Sequence, residues 1–487
     1  MKGIIYLLAL YPFVGFAQDD IAITKKNVNT LESASHIWFL ASDELRGRET
    51  GSPEIDIAAS YIASQFRKYG VLPINGSFFQ EIPLKSTMPP EEGKLAFNGE
   101  IKSIGVDFVA LRATKIASKN EVVFLEYGMP DELGKTNIEN KIVVVKSGKP
   151  GDNSPNSAFG ASQVKREAAK ENGAVALIEL YNSPAFPWQR IVGYIHRSQL
   201  TSEEVTEDEL PHLWMDDADG LMEKYFQSSK KIEMEIDISA KVVVPMPSKN
   251  VIGVIEGSDP DLRNEYILLS AHYDHIGVKQ GTNGEDSIYN GARDNAIGVA
   301  AILSAAQSFG KSPAKRSILL LACTGEEKGL LGSKYYADNP PVDLEKIVYN
   351  LNVDGGGYND ITKVSVMGLH RTTAESQLTA SAKAFGLEPF ADPAPEQNLF
   401  DRSDNVSFAA KGIPAPTYST GFTSFDEEIM KYYHQVTDHT ESLDFDYINK
   451  YFLSYSLAAR LIANMDETPF WVAGDKYEEA GKILYGK

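Results

Sequence analysis

Three apolar runs, each closed by acidic or histidine residues, constrain this chain more than any other feature. YILLS runs into AHYDHIG from Ala271, RSILLLAC into TGEE from Thr324, and IVYNL into NVD ending at Asp354. Runs of this length without polar alternation read as strands buried on both faces. NVIGVIEG, KVSVMG and APTYS are further strand candidates. Between the strands, helical text covers Asn295 to Phe309, Gly332 to Ala337, Thr372 to Phe385 and Asn405 to Ala410, and a last helix runs from Ile448 to Met465. This alternation predicts an α/β fold with a mostly parallel central sheet and helices on both faces. Ligands of such sheets bind beyond the carboxyl ends of the strands. The polar signatures fall at those ends.

The chain before Asn250 divides into three parts. Lys2, the apolar run Ile4 to Phe16 and the small-residue site Gly15-Phe16-Ala17 have the layout of an export signal. The run is too short to span a membrane, and no later segment is long enough. The expected location is therefore exported, periplasmic or secreted, with no membrane span in the mature chain. Residues 18–96 carry helices at Thr30 to Leu45 and Ile55 to Tyr69 and a strand ending at Leu84. Residues 97–245 change character to short strands and turns (EVVFLEYG, KIVVVKSG, AVALIEL, KIEMEIDI), with one helix from Ser162 to Asn172. They read as a β-rich insert in a domain that resumes at 246–487.

The charge balance narrows the partners. With 47 basic and 67 acidic residues the net charge is −20, which disfavours binding to nucleic-acid phosphates. Cys323 is the single cysteine, so an internal disulfide is excluded. At the end of an apolar run it reads as a buried, inert thiol.

The polar signatures share one chemistry. His272 and Asp274 are two apart at a strand end and point the same way, and a ligating histidine commonly has a carboxylate behind it. Asp294 precedes a helix, where a carboxylate gains from the helix N-terminus. Glu326 and Glu327 are adjacent, so their side chains diverge: one can hold a cation while the other serves as a base. Asp354 precedes three glycines, and His434 follows two tyrosines. Carboxylates mixed with imidazoles suit zinc, with manganese or cobalt as substitutes. The set has room for two cations and points to a metal hydrolase. His275, His370 and His439 are read as structural or surface residues, and His36, His196 and His212 lie outside the motif set.

The ordered motifs H-x-D, G-A-x-D-N-A-x-G, G-E-E-x-G-L-x-G-S, N-x-D and Y-H-x-x-x-D resemble the co-catalytic di-zinc aminopeptidases, metallopeptidase family twenty-eight. That family also includes glutamate carboxypeptidase II, the transferrin receptor and the glutaminyl cyclases. The resemblance covers most of Asn250 to Met465. It implies two Zn2+ per chain, one on His272 and Asp354, the other on Glu327 and His434, with Asp294 bridging. It further implies Glu326 as general base, Asp274 orienting His272, and Tyr433 and Arg402 near the substrate. The insert resembles a protease-associated domain in KIVVVKSG and AAKENGAVALIEL, and LASDELRGRETGSPE resembles the N-terminal segment of exported members. RSDNVSF departs from the family by carrying Asn405 where a histidine is common, which bears on the substrate pocket and not on the metals.

The expected function is an exported zinc-dependent exopeptidase, an aminopeptidase acting on peptide substrates through a two-zinc activated water with a glutamate base. The alternatives are a carboxypeptidase of the glutamate carboxypeptidase type and a catalytically inactive, receptor-like binding protein. A carboxypeptidase needs cations for a terminal carboxylate, and Arg402 alone supplies one. A binding protein would have lost ligands, and none is missing. The insert is expected to narrow substrate choice.

Overall fold

The computed structural model describes residues 11–487, except 113–114, 203–209, 230 and 280–285. The first ten residues of the expected export signal lie outside the described residues. A helix runs over Tyr11–Asn27. No helix among the described residues is long and apolar enough to cross a membrane.

The chain forms two compact units, one made of 1–83 with 247–487 and the other of 84–246. The first is built on an eight-stranded sheet in the order Phe79–Ile82, Ser248–Ile255, Ser317–Cys323, Tyr266–His272, Ile347–Val353, Thr417–Thr420, Lys363–Met367, Glu388–Phe390. The four strands from Ser317–Cys323 to Thr417–Thr420 are mutually parallel. Antiparallel pairs flank them on both sides.

Side-chain alternation along these strands explains the apolar runs. Ile267, Leu269 and Ala271 face one core, shared with the helices Thr30–Leu40, Pro53–Lys68, Ile297–Lys311 and Phe445–Ala463. Leu268, Leu319 and Leu321 face the other, with Tyr336, Phe408 and Trp471. Both faces are covered, so both sets of alternating positions are apolar. The helix Ile297–Lys311 lies between the sheet and other helices and is buried over nearly its whole length. Cys323 is buried in the second core, where burial pushes its thiol well up.

The second unit has its own mixed sheet, in which Ile116–Phe124, Ile142–Lys146, Ala176–Tyr181 and His212–Asp216 run parallel. Its N-terminal edge falls before Phe97, where the sequence changes character. The strand Lys85–Met88 pairs with Val242–Pro245 and Gln199–Thr201, which draws residues from Leu84 onward into this unit. The helix expected from Ser162 spans Pro155–Glu171, starting seven residues earlier, and it is not the single helix expected, since Trp188–Ile195 and Leu221–Ser228 are helical too. The Ser154 side chain accepts from Ser157 N and Pro155 fills the first helical position, the favoured way to open a helix.

Candidate metal centre

Five strand or loop ends converge at one edge of the parallel core. His272 closes its strand, Glu326 and Glu327 follow Ser317–Cys323, and Asp354 follows Ile347–Val353. Asp294 sits in the wide turn Ala292–Ala296 before the helix Ile297–Lys311. His434 comes from the loop after Glu427–Met430, with φ +56°.

Asp294 joins two sets of ligand atoms. Its Oδ1 lies 3.2 Å from His272 Nε2, and that nitrogen is also 3.2 Å from Asp354 Oδ1. Its Oδ2 lies 3.2 Å from His434 Nε2, which is 3.3 Å from Glu327 Oε2. Ligand atoms at ordinary zinc bond lengths around a tetrahedron are about 3.3–3.5 Å apart. The donor types and their spacing therefore fit two zinc ions with Asp294 between them. Capping of the following helix is not the task of Asp294. Asn295 Oδ1 accepts from Gly298 N at 3.0 Å, and its amide donates to Val353 O at 2.8 Å, which leaves both Asp294 oxygens for the site. The Asp294–Asn295 peptide is cis.

The surroundings of the two glutamates differ. Burial and Asp294 push the Glu327 carboxyl up, but His275 and His434 bring it down to about 2. Glu326 is held well above the usual carboxylate range by burial, against the pull of His272, with Asp354, Asp404 and Glu327 adding to the rise. Burial disfavours the charged imidazoles, yet Asp354 and Asp294 raise His272 well above its ordinary value. Asp294 and Glu327 likewise take His434 up to about 10. A divalent cation would stand in for the protons that these groups share without it.

Asp274 supports the site in two ways. His272 Nδ1 is 3.1 Å from the backbone oxygen of Asp274 and 3.7 Å from its carboxylate, so the backbone carbonyl orients the ring. The carboxylate accepts from the backbone N–H of Glu326 at 3.1 Å and of Glu327 at 3.3 Å, and from the Thr50 hydroxyl at 2.9 Å. It thereby fixes the loop that carries both glutamates.

Residues without an assigned role in the sequence reading complete the frame. Asp438 accepts from the backbone N–H of Arg293 at 3.0 Å and of Asp294 at 3.2 Å. Its signal was the last position of Y-H-x-x-x-D. Arg48, fully buried, donates to the carbonyls of Tyr273 at 2.8 Å, Asn290 at 2.7 Å, Gly291 at 3.1 Å and Leu40. It ties LASDELRGRETGSPE to the loops around His275 and Asp294. His275, read as structural, is fully buried with Nδ1 2.8 Å from Glu327 Oε1.

Tyr433 is half-buried and stacks on His434 with ring centroids 4.1 Å apart. A Cβ at Gly356 would run into the Tyr433 ring, so the glycines after Asp354 allow this close approach. The pocket in front of Glu326 is lined by Tyr433, the exposed Arg402 and an apolar group of Met367, Leu399, Phe422, Phe425 and Ile429. Asn405 lies outside this lining. Its amide donates to Phe400 O and Ala415 O at 3.0 Å each.

Residues 250–456 match the model of Peptidase family M28. Over 215 residues the chain is 25% identical to aminopeptidase YwaD of Bacillus subtilis, covering 43% of this chain and 44% of that protein. Over 160 residues it is 26% identical to the vacuolar membrane protease of Lachancea thermotolerans, covering 33% of this chain and 15% of that protein. The chain thus spans less than half the length of these curated relatives. The fold resembles that of an aminopeptidase from Aneurinibacillus sp. strain AM-1, with a TM-score of 0.58 at 21% identity, over 90% of this chain and 95% of that one.

Proposed function

Since the chain belongs, through residues 250–456, to Peptidase family M28, we propose that it is an exported zinc-dependent aminopeptidase that removes N-terminal residues from peptides. The observation that carries this reading is Asp294, with one carboxylate oxygen toward His272 and the other toward His434, and Glu326 beside them outside both ligand sets. His272 and Asp354 would hold one zinc, Glu327 and His434 the other, and Asp294 both. When bound, the ions would supply Lewis-acid polarisation of the scissile carbonyl and acidify the attacking water.

The chain's own residues supply the proton transfers and the positioning. Glu326 takes the water's proton and delivers it to the leaving amine. A carboxylate that lines the pocket and belongs to neither ligand set is free for such a shuttle. The Tyr433 hydroxyl donates to the developing oxyanion. Arg402 contacts the substrate at the pocket mouth, and the apolar wall from Met367 to Ile429 receives an apolar side chain. Asp274 keeps Glu326 and Glu327 in register through their backbone N–H groups. The insert, the protease-associated-like unit, narrows the choice of peptide.

The aminopeptidase reading is preferred because two matched proteins carry that name and because Arg402 is the one Lys or Arg among the described residues lining the pocket. A panel of aminoacyl and carboxyl-terminal chromogenic substrates, assayed with and without chelator alongside elemental analysis, tests it. The expected result is chelator-sensitive release of N-terminal apolar residues with two zinc ions per chain. Cleavage confined to carboxyl-terminal substrates would move the assignment to a carboxypeptidase. A zinc-loaded chain that cleaves nothing would favour a binding protein.

A further inference from the structure

Glu327 has an imidazole against each of its two oxygens. Oε2 is 3.3 Å from His434 Nε2, and Oε1 is 2.8 Å from His275 Nδ1. The second pair is unusual. Both atoms are buried, and neither has a hydrogen-bond partner among the described residues. The ring nitrogen lies close to the carboxylate oxygen, yet its N–H direction does not meet it.

Two buried polar atoms left facing one another without a hydrogen bond each forfeit their hydration, and a bound cation is one way in which such a pair is satisfied. One cation bonded to both would satisfy them together. A purely structural role for the ring does not account for the position. The loop is already held through the backbone, where His275 N donates to Arg48 O at 3.2 Å, and the imidazole adds no hydrogen bond of its own among the described residues. Ligand atoms of His275, Asp294 and Glu327 all lie within 4.8 Å of one another, as do those of His272, Asp294 and Asp354.

We infer that His275 is an additional ligand of the ion held on the Glu327 side, so that this position carries two imidazoles and the His272–Asp354 position carries one. The inference rests on the metal-centre reading above and goes beyond it, because it makes the two positions chemically unequal. Imidazole-rich sites favour late divalent metals such as cobalt and zinc, whereas carboxylate-rich sites tolerate manganese and magnesium. The first equivalent of cobalt or zinc should therefore enter the Glu327 side. Among the described residues His275 Nε2 has none of the outer partners that ligating histidines usually have, so His275 is the weaker of the two imidazole ligands.

Cobalt(II) titration of the metal-free full chain, followed by visible d–d absorption and by competition with a chelator, tests this without reading activity. The unmodified protein should take two equivalents in resolvable steps. In His275→Asn the affinity of the first step should fall about 10–100-fold, the size typical of a disturbed metal shell, with a changed cobalt spectrum and an unaltered second step. His275→Cys should add a cobalt–thiolate charge-transfer band in the near ultraviolet. Circular dichroism establishes that each variant is folded. If the folded Asn and Cys variants both load two equivalents with unmodified affinities and an unmodified spectrum, the inference is overturned. If the unmodified protein takes up no metal, the metal-centre reading itself has failed, which is a separate outcome.

Discussion

Glu326 and Glu327 are neighbours in the chain, and their surroundings separate them. Glu327 lies between two imidazoles, which draw its carboxyl down to about 2 against burial. Glu326 faces Asp354 and Asp404, and burial together with these carboxylates holds it well up. Glu326→Gln keeps the size and the backbone bond to Asp274 but cannot accept a proton. Turnover is expected to fall by roughly 10²–10⁴-fold, the usual contribution of a general base, with zinc content unchanged. Glu327→Gln should lose zinc first and turnover as a consequence. Parallel elemental analysis and kinetics of the two variants check this; near-normal turnover in Glu326→Gln would remove it from the base role. At this scale the sequence pattern was informative wherever a residue closed an apolar run. It was silent on His275, one residue beyond Asp274, because a lone histidine in a loop gives no sign of whether its ring turns inward. It marked Asp438 as the last position of Y-H-x-x-x-D but gave its carboxylate no role, because its partners are backbone N–H groups 144 and 145 positions away.

The helices were legible from their apolar spacing, but their ends were not, since ends depend on side chain to backbone bonds. The helix expected over Thr30 to Leu45 stops at Leu40, and the chain turns through Arg46, Gly47 and Arg48 with positive φ. That turn aims the Arg48 side chain inward. Replacing it, as in Arg48→Met, would leave several buried carbonyls without a donor. A loss of roughly 3–5 kcal/mol is expected, measurable by chemical denaturation, together with weaker zinc retention from the loosened loops. The same helix carries a pH-sensitive contact. His36 Nδ1 is 2.8 Å from Tyr61 Oη and Nε2 is 2.9 Å from Tyr69 Oη. Tyr69 donates its own proton to Glu32, so Nε2–H donates to Tyr69, and in the neutral ring Nδ1 accepts from Tyr61. Burial lowers the His36 pKa from 6.5 to about 4. The unfolded chain then binds the extra proton first as pH falls. Stability from this site is complete above about 6.5 and is lost progressively toward 4, by roughly 3 kcal/mol at most. His36→Gln should flatten the denaturation midpoint across that window; an equal slope in both proteins would exclude His36 as its source.

Every ligand candidate lies in the unit made of 1–83 and 247–487, and the unit 84–246 has hydrophobic clusters of its own. Metal and insert stability should therefore be separable. In the insert, Glu179 is fully buried and accepts from Ser162 and Lys165 at 2.6 Å, His212 at 2.8 Å and Trp214 at 3.1 Å. Burial opposes its charge, but His212 and Lys165 hold its carboxyl down at about 2. Removing one partner of such a buried network typically costs about 3–5 kcal/mol, because the other charge stays buried and unpaired. Glu179→Gln leaves Lys165 in that position. Hydrogen exchange on the full chain distinguishes the two perturbations. Chelation should speed exchange near the ends of Tyr266–His272 and Ile347–Val353, since an ion that binds only the folded state stabilises it by mass action, and should leave Ile142–Lys146 and Ala176–Tyr181 unchanged. Glu179→Gln should do the reverse and leave the zinc content unchanged. If chelation loosens Ile142–Lys146 as much as Tyr266–His272, the two units do not hold their stability separately, and the insert cannot be treated as a module that adjusts specificity while the metal centre stays constant.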